Sequence, residues 1–83
     1  MKQLVLNDQA KIDLSRLDRV TRLRITAALQ RLALTGAGNI KKLQGIDPPE
    51  YRLRVGDFRI RFSYPGPDIV RIHRIQNRKE AYR

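Results

Sequence analysis

Tyr51-Arg52-Leu53-Arg54-Val55-Gly56-Asp57-Phe58-Arg59-Ile60-Arg61-Phe62-Ser63-Tyr64 is the stretch that decides how this chain folds. Apolar and cationic side chains alternate on both sides of a Gly-Asp pair, the pattern of two half-buried strands joined by a two-residue turn. Successive side chains of a strand point to opposite faces. Tyr51, Leu53, Val55, Phe58, Ile60, Phe62 and Tyr64 therefore share the face that seeks a core. Arg52, Arg54, Arg59 and Arg61 share the other. Pro65-Gly66-Pro67-Asp68 reads as a second turn and Ile69-Val70-Arg71-Ile72-His73-Arg74-Ile75 as a third strand. With Val70 and Ile72 inward, Arg71 and His73 join the arginine face.

Upstream of this meander the period becomes helical. Gln3-Leu4-Val5-Leu6 suits a short strand closed by Asn7-Asp8, and Asp8 is a plausible N-cap for a first helix. Ala10, Leu14 and Leu17 then fall at helical spacing. Asp18 is placed to cap a longer helix whose apolar stripe is Ile25, Ala28, Leu29 and Leu32. Thr35-Gly36-Ala37-Gly38-Asn39 stops it, with Gly36 free to take the left-handed cap conformation. Gln44-Gly45-Ile46-Asp47-Pro48-Pro49 reads as loop. The expected fold is α+β: an N-terminal strand, then a two-helix hairpin packed on one face of an antiparallel sheet that ends in a three-stranded meander.

Size and composition limit the function classes. The 83 residues suit one small domain, expected to span 1–83. The chain has no cysteine, which excludes disulfide staples and thiolate chemistry, and one histidine. Neither a cofactor nor a protein-built metal site is expected. No apolar run approaches the roughly 20 residues of a membrane span, and the amino terminus turns polar too soon for a signal peptide, so a cytoplasmic location and no membrane partner are expected. The charge is lopsided: 18 Lys and Arg against 8 Asp and Glu, a formal +10, with 13 of the cations Arg. Such an excess fits nucleic acid, an acidic protein or a membrane surface. Arginine's planar fork matches phosphate oxygens. Like charges opposed across strands destabilise a sheet, so an arginine-dense face suggests an anion lying across it. Near the C-terminus Arg78, Lys79 and Arg83 surround Tyr82, an aromatic that can stack on a base while cations hold phosphate.

Three segments carry a family resemblance: Lys42-Leu43-Gln44-Gly45, the run from Tyr51 to Arg59, and Asn77-Arg78-Lys79-Glu80-Ala81-Tyr82. With the helical half around Asp13-Leu14 and Arg24-Ile25, the chain resembles the RelE/ParE superfamily of bacterial toxin–antitoxin toxins over nearly its whole length. The resemblance implies a toxin neutralised by a cognate antitoxin in a hetero-oligomer. RelE-type members are ribosome-dependent endoribonucleases that cut mRNA and block translation, whereas ParE-type members poison DNA gyrase without nuclease activity. For the nuclease branch it implies a catalytic set of Arg52, Arg54, Arg59, Arg78 and Tyr82; Arg61 and Arg71 on the arginine face and Lys79 and Arg83 in the basic C-terminal segment are then expected to bind RNA. Cleavage would use the RNA's own 2′-hydroxyl, with Arg54 and Arg59 stabilising charge on the phosphorus centre. Well-known RelE members hold lysines where this chain has Arg52 and Arg54. Arginine stays protonated, so the proton must move through another group, Tyr82 or the RNA itself.

Overall fold

The computed structural model describes residues 1–81. In chain order the elements are β1 (Gln3–Leu6), α1 (Asp8–Ser15), α2 (Arg19–Thr35), β2 (Asn39–Lys42), β3 (Tyr51–Val55), β4 (Phe58–Gly66), β5 (Ile69–Asn77) and α3 (Arg78–Ala81). The strands form one sheet in the order β1-β5-β4-β3-β2. The meander β3–β4–β5 is antiparallel as the alternation requires, and β2 extends it antiparallel to β3. β1 closes the other edge by pairing parallel to β5, which makes the sheet mixed rather than purely antiparallel.

Local chemistry sets most boundaries. α1 is capped by Asn7, one residue before the expected Asp8. The Asn7 Oδ1 accepts from the Ala10 amide at 2.9 Å, and Asp8 sits in the first turn, where its charge opposes the helix dipole. Leu17 falls outside α1, in the link between the helices, but still packs against the core. Asp18 caps α2 as expected, accepting from the Thr21 amide at 3.4 Å. At the other end Gly36 adopts the left-handed conformation, and its N–H donates to the Leu32 carbonyl at 2.9 Å. Two residues later the chain passes close to β3. A Cβ at Gly38 would lie 2.6 Å from Leu53 Cδ1, so any larger residue there would force the Leu53 side chain to move.

The core lies between the helices and one face of the sheet. Ala10, Ile25, Leu29 and Leu32 from the helices meet Leu53, Ile60, Phe62, Val70, Ile72 and Ile75 from the strands, all buried. Burying each of the larger side chains contributes about 1.5–3 kcal/mol before chain entropy is subtracted. Phe62 also stacks on Tyr51 at 5.6 Å between ring centroids and meets Tyr64 edge-on at 5.5 Å.

β5 does not keep a strict period of two. Arg61 pairs with Arg74, but the next residue, Phe62, pairs with Ile72, leaving His73 as the extra residue of a β-bulge. The bulge lets Val70, Ile72 and Ile75 all face the core. It also coincides with the place where β1 runs out. Leu6 pairs with Ile72, the Asn7 amide donates to the Ile72 carbonyl at 3.0 Å, and beyond that the edge of β5 needs another partner. Asp13 of α1 supplies it. Its Oδ2 accepts from the Ile75 amide at 2.9 Å and from Arg74 Nε at 3.0 Å, and its Oδ1 accepts from Gln9 at 3.0 Å. Burial pushes the Asp13 carboxyl up, but the bonds from Arg74, Ile75 and Gln9 outweigh it and hold the group below its ordinary value.

Candidate nucleic-acid interface

Directly opposed residues of neighbouring strands point to the same face. The pairings Lys41↔Arg52, Arg52↔Arg61 and Arg61↔Arg74 therefore set four cations in one row across β2, β3, β4 and β5. The row lies on the face away from the helices. The next row toward the β3–β4 turn is Asn39, Arg54, Arg59 and Gln76, and the row on the other side opposes Ser63 to Arg71. Neighbouring Cβ atoms in such a row are roughly 5 Å apart, so successive guanidinium groups can engage one extended polyanion. The alternation of the sequence thus places Arg52, Arg54, Arg59, Arg61 and Arg71 together on one surface.

These arginines differ in what holds them. Arg54, Arg61 and Arg71 are exposed. Arg59 is only 5% exposed, and its Nη1 donates back to the carbonyls of Gly56 at 3.4 Å and Phe58 at 3.2 Å. It braces the turn that carries the strand pair, and its buried Nε has no hydrogen-bond partner among the described residues. The arginine expected to meet phosphate most directly is thus the one most withdrawn from solvent. Arg74 is committed to Asp13.

The C-terminal segment reaches the same end of the face as Arg54 and Arg59. Phe58 pairs with Asn77, and the Arg78 amide donates to the Asp57 carbonyl at 2.6 Å. The Asn77 side chain accepts from the Lys79 amide at 3.1 Å, starting the short α3. Arg78 and Lys79 lie in its first turn. Tyr82 and Arg83, expected to complete the set, lie outside the described residues.

Two features of this face escape the alternation. Glu50 precedes β3 by one residue and carries an acidic group to the cationic surface, its Oε1 3.7 Å from Arg61 Nε. That distance is an ion pair but too long for a hydrogen bond, and the buried Oε1 has no hydrogen-bond partner among the described residues. The second feature is the bulge residue His73, whose Nε2 lies 2.7 Å from the Ser63 Oγ. A cleft of about 260 Å³ opens beside these residues, lined by Pro48, Pro49, Glu50, Tyr51, Ser63, Tyr64, Pro65, Arg71 and His73. Burial, with Tyr51 alongside, raises the Tyr64 phenol above its ordinary value. The parity of Glu50 with Arg52, and the three-residue step from Ile72 to Ile75, are the traces of these features in the sequence.

Among the described residues no three His, Cys, Asp or Glu side chains gather as a metal would require, and no helix is long and apolar enough to cross a membrane.

The fold has close counterparts among solved structures. A chain of the archaeal RelE–RelB complex from Pyrococcus horikoshii OT3 superposes with a TM-score of 0.77 at 22% identity, covering 93% of this chain and 94% of that one. A chain of the RelB–RelE antitoxin–toxin complex from Methanococcus jannaschii gives 0.76 at 26% identity, covering 94% of each. No curated protein matches in sequence. The family model of the ParE toxin of type II toxin–antitoxin systems matches residues 4–82, nearly the whole chain. The five-stranded sheet, the helices packed on one of its faces and this match together make the chain a member of the ParE toxin family, within the RelE/ParE superfamily of toxin–antitoxin toxins.

Proposed function

We propose that this toxin cuts mRNA on the ribosome and so stops translation, and that a cognate antitoxin restrains it. The observation that carries this reading is the row Lys41, Arg52 and Arg61, flanked by exposed Arg54 and Arg71, with Arg74 ending the row but engaged by Asp13. A row of like charges on a sheet costs stability, and a phosphate backbone threaded along it offsets that cost. Single-stranded RNA tracked by a cationic groove is a familiar mode of binding.

In the reaction the RNA supplies its own nucleophile, the 2′-hydroxyl. Guanidinium groups of Arg52, Arg54 and Arg61 hold the phosphate and stabilise the charge that builds on its oxygens. Arg78 approaches from α3 and assists the departing 5′-oxygen. No arginine gives up its proton near neutral pH, so proton exchange falls to Tyr82 or to the imidazole of His73. Both RelE-type likenesses are with chains solved in toxin–antitoxin complexes. For the antitoxin we propose an acidic amphipathic segment. Val20, Leu23 and Leu34 of α2 are 73%, 59% and 61% exposed among Arg16, Arg19, Arg22 and Arg31, a surface that suits such a partner.

A second reading, poisoning of DNA gyrase, is favoured by the family model itself, which is that of the ParE toxins. Induction in cells separates the two. Loss of protein synthesis with cuts inside translated messages is the expected outcome. Intact mRNA with broken or unreplicated DNA would overturn the nuclease and establish gyrase as the target.

A further inference from the structure

Glu50 is out of place on a surface built for phosphate. A carboxylate there repels the backbone it faces, and its Oε1 is buried without a hydrogen-bond partner among the described residues. A buried acceptor left unmatched is costly, and the Arg61 ion pair at 3.7 Å does not replace the missing bond. Glu50 itself lines the cleft that Pro48, Pro49, Tyr51, Tyr64 and Pro65 frame with flat or rigid apolar surface. At about 260 Å³ the cleft falls below the roughly 300–1,000 Å³ of drug-sized pockets. That is room for one flat ring system rather than a whole nucleotide.

We infer that this cleft receives a single nucleobase of the bound RNA, and that Glu50 reads it by accepting from an amino-bearing edge. A carboxylate accepts from the amino groups of cytosine and adenine. Guanine offers two adjacent N–H donors on its Watson–Crick edge and satisfies both carboxylate oxygens once the Glu50 side chain turns its buried Oε1 into the cleft. Uracil presents one N–H between two carbonyls, which the carboxylate repels. The predicted order therefore has guanine first and uracil last. Exposed Arg71, opposite Ser63 at the cleft, is placed to take the phosphate of the same nucleotide, and the Ser63–His73 pair holds the polar floor. Aromatic and proline walls stack on any base, so selectivity rests on Glu50.

This inference rests on the RNA reading, but its test does not need cleavage. The whole protein is titrated with the 5′-monophosphates of guanosine, adenosine, cytidine and uridine, and with inorganic phosphate, while backbone amide resonances are followed by NMR. Guanosine monophosphate should perturb Glu50, Tyr51, Ser63 and Tyr64 and bind about tenfold or more tightly than uridine monophosphate, the range of one bidentate base contact. In Glu50→Gln the preference should vanish while phosphate binding and the thermal midpoint persist. Equal affinity for all four nucleotides, shifts that inorganic phosphate reproduces alone, or an unchanged preference in Glu50→Gln would each overturn it. Mapping cut sites separates the two claims. A protein that cuts mRNA with the same base distribution in Glu50→Gln keeps the nuclease reading and loses the base cleft. A guanine preference in a protein that cuts nothing does the reverse.

Discussion

On the helix-covered face of the sheet Leu53, Ile60 and Phe62 are exposed by 2% or less, while Arg54 and Arg61, their neighbours on the same strands, stand in solvent. Opposed pairs on the first face, such as Leu53 with Ile60, gain by contact, whereas Arg54 with Arg59 and Arg52 with Arg61 on the second repel one another. One strand pair thus carries both the main stabilisation of the fold and its clearest local cost. The contrast teaches where to look for function. A face that folding alone would not select is the first place to test for binding.

The contrast breaks most severely at Phe62. Phe62→Ala removes a fully buried ring that contacts Tyr51 and Tyr64, and should cost about 3–5 kcal/mol, read from urea unfolding. Next comes Asp13, where the two faces meet at the β5 edge. Asp13→Ala leaves the buried Ile75 amide without its acceptor and should cost about 1–3 kcal/mol. Because the folded carboxyl titrates below its ordinary value, its contribution is complete above the unfolded value of about 3.9. It fades as pH falls through the folded value. Thermal midpoints of the wild type and Asp13→Asn should therefore converge on acidification, and a constant gap would show that the carboxylate charge is not the stabilising element.

On the open face the expected signs reverse. Arg54→Ala with Arg61→Ala should move stability by less than about 0.5 kcal/mol, since the Arg61–Glu50 pair is long and half exposed and surface pairs contribute about 0–1 kcal/mol. Affinity for single-stranded RNA should fall instead, and the slope of log affinity against log salt should shrink by about 0.7 for each phosphate the protein no longer neutralises. An unchanged slope would mean that this face does not hold the backbone. The smallest effect belongs to Glu50→Gln, an isosteric change that should alter stability by less than about 0.5 kcal/mol while erasing base preference. Arg59→Ala separates the faces poorly, because its guanidinium ties down the Gly56–Asp57 turn and its loss would disturb geometry and charge together.

How legible all this was in the sequence varied with the kind of interaction. Period-two alternation from Tyr51 to Tyr64 specified the two strands, their turn and the arginine face, because burial on one side fixes register. The caps at Asp18 and Gly36 were readable from local chemistry. β2 was not. Asn39-Ile40-Lys41-Lys42 has a single apolar residue and is a strand only because β3 offers it an edge. The parallel pairing of β1 was equally hidden, since an apolar run does not state its partner or direction. Asp13 reads as an ordinary helix residue, and its bond to the Ile75 amide depends on a chain segment 62 residues away. In the site, parity found the arginines but not their differing burial. Arg59 and Arg61 look alike in sequence, yet one braces a turn and the other faces solvent.

The parallel seam between β1 and β5 has a consequence for how the protein is made. Gln3–Leu6 pair with Ile69–Ile72, and Asp13 waits for Ile75. Chains grow from the amino end, and contacts this distant in sequence form late because a long loop must close first. A nascent chain that stalls before Ile69 can build neither the seam nor the last strand of the cationic row. The topology therefore ties the sheet to its last strand: a fragment that ends before Ile69 can complete neither the β1 seam nor the cationic row.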